Sequence, residues 1–138
     1  MNPVQPFDPT IQLLSKSLDL RAKNQQVILS NIANAETPGY AASSFQFEDS
    51  LRQAIDSKSG TTLAVSHPSH FPLSPVNIQS VTGEITKTAD KTGIGDENSV
   101  NLEQEMLNLS ENELVYETSA QLLQKKLSQL RFVIAGGQ

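Results

Sequence analysis

The stretch Asn31-Ile32-Ala33-Asn34-Ala35-Glu36-Thr37-Pro38-Gly39-Tyr40 decides the fold, because a helical pattern runs into it and cannot run out of it. Proline biases the residue before it away from the α region and lacks the N–H that a further turn would need, so the helix stops by Thr37. Thr37 to Tyr40 fits a type II turn: Pro38 presets φ at the second position and Gly39 supplies the positive φ at the third. Tyr40 follows as a large amphipathic side chain that can anchor the returning chain. Ala33 and Ala35 are small enough to admit another backbone, while Asn31 and Asn34, three apart, offer amide donors and acceptors from one helix face. Two readings of those amides stand. Either they are solvated or capping groups at a helix end, or they fix the register of a packed helix bundle as a buried Asn does in coiled coils.

Upstream, Pro3, Pro6 and Pro9 make residues 1–9 an extended leader, and a helix is expected from Thr10 to about Ala35. Ile11, Leu14, Leu18, Ala22, Leu29, Ile32 and Ala33 fall on one face of it at helical spacing. A second, narrower stripe of Leu13, Leu20 and Val27 lies opposite and continues into Asn31 and Asn34. A helix apolar on two sides wants more than one neighbour.

The last helix carries the longest periodic pattern in the chain. Leu102, Met106, Leu109, Glu113, Tyr116, Ala120, Leu123, Leu127, Leu130 and Ile134 alternate spacings of four and three, a heptad seam with one polar interruption. Asn98, Ser99 or Asn101 can cap its start. Glu103 and Glu105 suit its positive end, and Lys125, Lys126 and Arg131 its negative end, before Gly136-Gly137 stops it. Leu107, Leu114 and Leu122 lie off the seam and widen the apolar surface. Between the long helices, Phe45 to Ile55 reads as a short amphipathic helix with Phe47, Leu51, Ala54 and Ile55 on one side. From Ser57 to Glu97 no period is sustained, which marks a functional arm or a linker. Weak strands fit Thr62 to Val65 and the region of Val76 to Ile85, where Gly83 fits a turn.

The fold class expected is therefore mainly α, with two long terminal amphipathic helices forming a coiled-coil-like hairpin around a loosely structured or weakly β centre. In domain terms, residues 10–40 and 98–138 form the terminal-helix unit and residues 41–97 a central arm. Only 37% of the 138 residues are hydrophobic and there is no Trp, so buried area must come from the two ends. A net charge of -5 with no basic cluster beyond Lys125-Lys126 argues against nucleic acid as a partner. The chain holds no Cys, which removes disulfides and thiolate chemistry. No run of residues suits a signal peptide or membrane insertion. His67 and His70 flank Pro68 without a neighbouring carboxylate or thiolate, so a turn is expected there rather than a metal site. With no G-x-S-x-G, H-E-x-x-H or nucleotide-binding fingerprint, no catalytic or cofactor site is expected.

The decapeptide resembles the signature of the flagellar basal-body rod and hook family, roughly Asn, aliphatic, Ala, Asn, Ala, any, Thr, Pro, Gly, Tyr, with every fixed position matched by Asn31, Ile32, Ala33, Asn34, Ala35, Thr37, Pro38, Gly39 and Tyr40. The run Ser66-His67-Pro68-Ser69-His70 and the stretch Asn98 to Glu103 that opens the final helix extend the likeness to the short proximal-rod members. The resemblance implies a structural, non-enzymatic role as a proximal-rod subunit, transmitting torque around an export channel. It implies assembly of the terminal helices with copies of itself and other rod and basal-body proteins, with the central segment outward. It further implies export by the flagellar type III apparatus without a cleaved signal, and a place in the rod within the periplasmic space. One rival is another short rod protein of the FlgC type, whose final helix usually follows a Pro-Asn-Val-Asn-like element where this chain has Asn98-Ser99-Val100-Asn101. From a different class, a helical adaptor or export chaperone would be equally acidic, but would not need Thr-Pro-Gly-Tyr and should form a closed dimer.

Overall fold

The computed structural model describes residues 9–59, 77–90, 92 and 95–136. Its elements, in order, are α1 (Pro9–Ala33), β1 (Ala42–Gln46), α2 (Glu48–Ser59), a 3₁₀ turn at Ile78–Ser80, β2 (Glu84–Thr88) and α3 (Leu102–Ile134). The fold is mainly helical, two long terminal helices framing a short helix and a two-stranded sheet. The leader before Pro9, the strand expected at Thr62 to Val65, and His67 with His70 lie outside the described residues.

Pro9 is the first residue of α1 rather than the last of the leader. At that position its missing N–H would have had no helical partner anyway, and its fixed φ suits the first turn. The far end of α1 tightens before the proline: the amide of Asn34 donates to both Ser30 O and Asn31 O, and that of Ala35 to Ile32 O. In α3, the Asn101 side chain caps the start by accepting the Gln104 N–H at 3.1 Å, and Gly136, at φ +81°, takes the left-handed position after the end. Its 33 residues make a rod of about 50 Å.

The two long helices run antiparallel. Thr10 and Leu14 lie beside Leu122 to Gln129, Asn24 beside Asn112, and the end of α1 beside Asn98. The hydrophobic core, however, sits on the other side of α1. It consists of Leu20, Phe45, Phe47, Ala54, Ile78 and Val81, with Leu13, Val27 and Leu51 packed against them. The narrow Leu13-Leu20-Val27 stripe, one of the two faces for which separate neighbours were expected, is thus covered within the chain by β1, α2 and the 3₁₀ turn. Full burial of a large apolar side chain is worth about 1.5–3 kcal/mol, so this small cluster is enough to hold the centre of the chain on the helix.

Two local expectations change. Phe45 belongs to β1, and the short helix begins at Glu48. The alternation of buried Phe45 and Phe47 with exposed Ser44 and Gln46 is a strand period, which puts both rings on α1 with centroids 5.3 Å apart. The second strand begins at Glu84 rather than near Val76 and pairs antiparallel with β1, Phe45 opposite Ile85. Gly83, just before it, is required by close approach: a Cβ there would overlap the Phe45 ring.

Candidate functional site

The decapeptide and the start of α3 meet in one junction. Gly39 has φ +70°, and the Tyr40 amide donates to Thr37 O at 3.3 Å, so the chain reverses through the turn the Pro-Gly pair demands. No atom stands within 4 Å of where a Gly39 Cβ would be; the constraint is purely one of backbone conformation. The Gly39 N–H itself donates to Asp96 O at 2.6 Å, tying the turn to the loop before α3.

Asn31 is fully buried, at 0% exposure, and its amide treats β1 as a neighbouring strand would. Its Nδ2 donates to Ser43 O at 2.7 Å and its Oδ1 accepts from Ser43 N at 2.9 Å. The Tyr40 hydroxyl donates to the same Oδ1 at 3.3 Å and lies equally close to Ser30 Oγ. Asn34 closes its own helix end, donating to Ser30 O at 2.8 Å and accepting from the Thr37 hydroxyl at 3.2 Å. Ile32 and Ala35 are half-buried beneath this network, while Ala33, Thr37, Pro38 and Gly39 are exposed.

Asn98 completes the arrangement from the other end of the sequence. Its Nδ2 lies 2.8–2.9 Å from Asn34 O, Ala35 O and Thr37 O and shares its two hydrogens among these carbonyls of the turn that follows α1. Its Oδ1 accepts from Val100 N at 2.8 Å. Ser99 then binds both strands, its N–H donating to Tyr40 O, its hydroxyl accepting from Ala42 N and donating to Thr88 O. Asn101 caps α3 two residues later. Four consecutive residues, Asn98 to Asn101, therefore fasten the end of α1, the turn, the sheet and the start of α3 to one another. In the loop leading there, Asp90 accepts from Thr92 N at 2.9 Å; that bond and the Thr92 hydroxyl hold its carboxyl below the ordinary value.

Farther along the hairpin a second polar cluster sets the helix register. Asn112, 1% exposed, donates to Arg21 O and accepts from Asn24 Nδ2, both at 3.0 Å. Arg21 stands over the Phe47 ring and pairs with Glu48 at 2.7 Å. The register amide in the helix pair is thus Asn112 with Asn24, while Asn31, for which a solvated or capping role and a bundle register are the two readings from sequence, is buried and serves the helix-to-strand contact. Sequence reading missed Asn98 and Asn112 in these roles. The available signal was their place beside the cap of α3 and amid its apolar pattern.

Asn112 and Ser119 put a polar, small-residue stripe of α3 against α1. The heptad seam lies one stripe around. Leu109, Ala120 and Leu123 are half-buried at its edge, but Leu102, Met106, Tyr116, Leu127, Leu130 and Ile134 are exposed, Met106 to 58% and Ile134 to 78%. Leu107, Leu114, Leu122, Phe132 and Val133 add a second exposed apolar row.

A hairpin whose polar side chains clasp its own backbone, and whose apolar ones stand outside, is built as a subunit of a larger structure, of the rod-and-hook kind that its decapeptide resembles. No protein-family model matches the chain. It is 33% identical over 134 residues to the flagellar basal body rod protein FlgB of Aeromonas hydrophila, covering 96% of this chain and 97% of that one. The FlgB proteins of Salmonella typhimurium and Escherichia coli K12 are each 28% identical over 135 residues, covering 95% of this chain and 96% of theirs. The chain belongs to the FlgB family of flagellar basal body rod proteins, structural components of the flagellum.

Proposed function

We propose that the chain is a subunit of the proximal rod that assembles helically through its terminal helices, with copies of itself and with other rod proteins, to transmit torque and line the export channel. The observation that carries this reading is the exposed apolar surface of α3. Met106, Leu107, Leu114, Leu127, Phe132 and Ile134 lie outside a subunit whose own core is complete without them. Monomeric soluble proteins rarely leave so long an apolar stripe bare, and repeated contacts of one such face against a different face of the next copy build an open array. The role is mechanical rather than enzymatic, and the subunit reaches the periplasmic rod through the flagellar type III apparatus without a cleaved signal.

The test is complementation of a deletion strain, scoring secretion, co-fractionation with isolated basal bodies and swimming together. Leu127→Ala and Leu130→Ala should leave secretion intact and abolish incorporation and swimming. Normal swimming with both would remove the exposed seam from the account, and retention of the wild-type chain in the cytoplasm as a closed dimer would favour an adaptor instead.

A further inference from the structure

β2 has one edge paired and one edge open. Asn31 takes both backbone groups of Ser43, so those groups point out of the sheet, away from β2. Residues opposite one another in an antiparallel pair turn their N–H and C=O groups either toward each other or away together. Lys87 stands opposite Ser43 and Ile85 opposite Phe45, so the N–H and C=O groups of Ile85 and Lys87 point outward as well. On β1 the outward groups of Ser43 are met by Asn31. On β2, among the described residues, the outward groups are met by nothing, because the sheet there has two strands.

The side chains of this edge border a groove. Ile85 and Lys87 turn to the same face of the sheet as Phe45, toward α1, and line the groove with Lys23, Gln26 and Ser30 of that helix. Ile85 is 48% exposed, and the Lys23 Nζ stands 5.2 Å from the centre of the Phe45 ring. No acid lines the groove, although the chain carries a net charge of -5, and neither lysine makes an ion pair among the described residues. A lysine on an open strand edge can serve simply to repel other strands. That role accounts neither for an aliphatic side chain half bare on the same edge nor for a second lysine brought to it from α1.

We infer that the outer edge of β2 takes an extended acidic segment of a neighbouring polypeptide as a third strand, with a carboxylate opposite Lys87, near Lys23, and an apolar side chain opposite Ile85. The outward backbone groups select an extended chain, whose own N–H and C=O groups recur at the matching spacing; the lysines select its charge, and Ile85 its alternation. This rests on the reading of the chain as a rod subunit and adds a contact in which α3 has no part, since no residue of α3 lines the groove.

Alternate residues make the test specific. In the full-length monomer the Ile85 and Lys87 amides should exchange quickly and the Thr86 amide, which faces β1, slowly; in isolated rods all three should be slow. Slow exchange at Ile85 and Lys87 in the monomer would mean that the chain covers its own edge, and fast exchange there in the rod that nothing covers it. Either result overturns the inference. The chemistry of the occupant is read by adding two synthetic heptapeptides to the full-length monomer, Thr-Val-Thr-Glu-Thr-Val-Thr and the same sequence with Lys in place of Glu. The Glu peptide should bind about tenfold more tightly, and Lys87→Glu should invert the preference, because each exchange swaps an opposite-charge cross-strand pair for a like-charge one. Equal affinities, or no binding of either peptide, overturn it. In cells, Ile85→Pro removes an outward N–H and leaves the ladder to β1 whole, whereas Thr86→Pro breaks that ladder. The Ile85→Pro chain should be secreted and unfold at the wild-type midpoint, yet fail to enter rods. A midpoint lowered as far as that of Thr86→Pro would show that Ile85 faces β1, and overturns the inference. Entry into rods at the wild-type level also overturns it and leaves the rod assignment standing, whereas a wild-type chain absent from rods would remove the assignment itself.

Discussion

The two ends of the hairpin are built on opposite principles. At the junction, Asn31, Asn98 and Ser99 engage backbone groups of their own chain and the Tyr40 hydroxyl the Asn31 side chain, while the exposed Leu102 and Met106 follow on the first turns of α3. At the other end, Leu127, Leu130, Phe132, Val133 and Ile134 are all exposed, level with the first turn of α1 and past it. The contrast teaches that the subunit is finished at one end and unfinished at the other. The junction sets the angle at which α1, the sheet and α3 leave one another, and the other end leaves its apolar residues exposed.

The largest effect should come from Asn31→Ala, because it strips the buried edge of β1 of both its partners. Leaving the Ser43 N–H and C=O unpaired should cost about 2–6 kcal/mol, at roughly 1–3 kcal/mol for each group left unsatisfied. Denaturant unfolding of the monomer would measure it. Loss of under about 0.5 kcal/mol would mean that water replaces the amide and that the junction is not closed.

Gly39→Val should come next, at about 1–3 kcal/mol for a β-branched residue held at positive φ. Gly39→Asn should be milder, since Asn tolerates the left-handed region, and Pro38→Ala milder still, since alanine adopts the same φ and loses chiefly preorganisation. Because nothing crowds the Gly39 Cβ position, the ranking tests backbone conformation alone. If Val and Asn proved alike in stability and swimming, the decapeptide would act through its side chains and not through its turn.

The smallest effect on the monomer should come from the open end. Leu127→Ala should shift monomer stability by no more than about 0.5 kcal/mol, as surface substitutions do, while preventing incorporation into the rod. A loss of about 2 kcal/mol or more, the cost of a buried Leu, would show that α3 finds a partner within its own chain.

These contrasts also mark what sequence could and could not reveal. The stop of α1 and the positive φ of Gly39 are legible because proline and glycine act locally, through their own covalent structure. The extent of α3 is legible for the same kind of reason: its heptads, cap and terminal glycine lie within one contiguous run. The partner of each stripe is not legible. Periodicity reports that Leu13-Leu20-Val27 and Leu102 to Ile134 are apolar, but not that the first meets Phe45 and Phe47 of the same chain while the second is left outside. Asn31 shows the same limit, since an amide on a helix face suits a helix or a strand equally until β1 is in place. Phe45 and Phe47 do carry a strand signal in their alternation, but over so few residues that the helical spacing of Phe47, Leu51 and Ala54 masks it.

The central claim is that the junction is closed within the monomer and the far end of α3 is closed only by assembly. Amide hydrogen exchange measured on the dilute monomer and again on the chain within isolated rods tests it most directly. In the monomer, Ser43, Gly39 and Ser99 should exchange slowly and residues 127–134 quickly; in the rod, residues 127–134 should become protected and the junction should change little. Slow exchange along the whole of α3 in the monomer, or a junction that becomes protected only on assembly, would contradict the account.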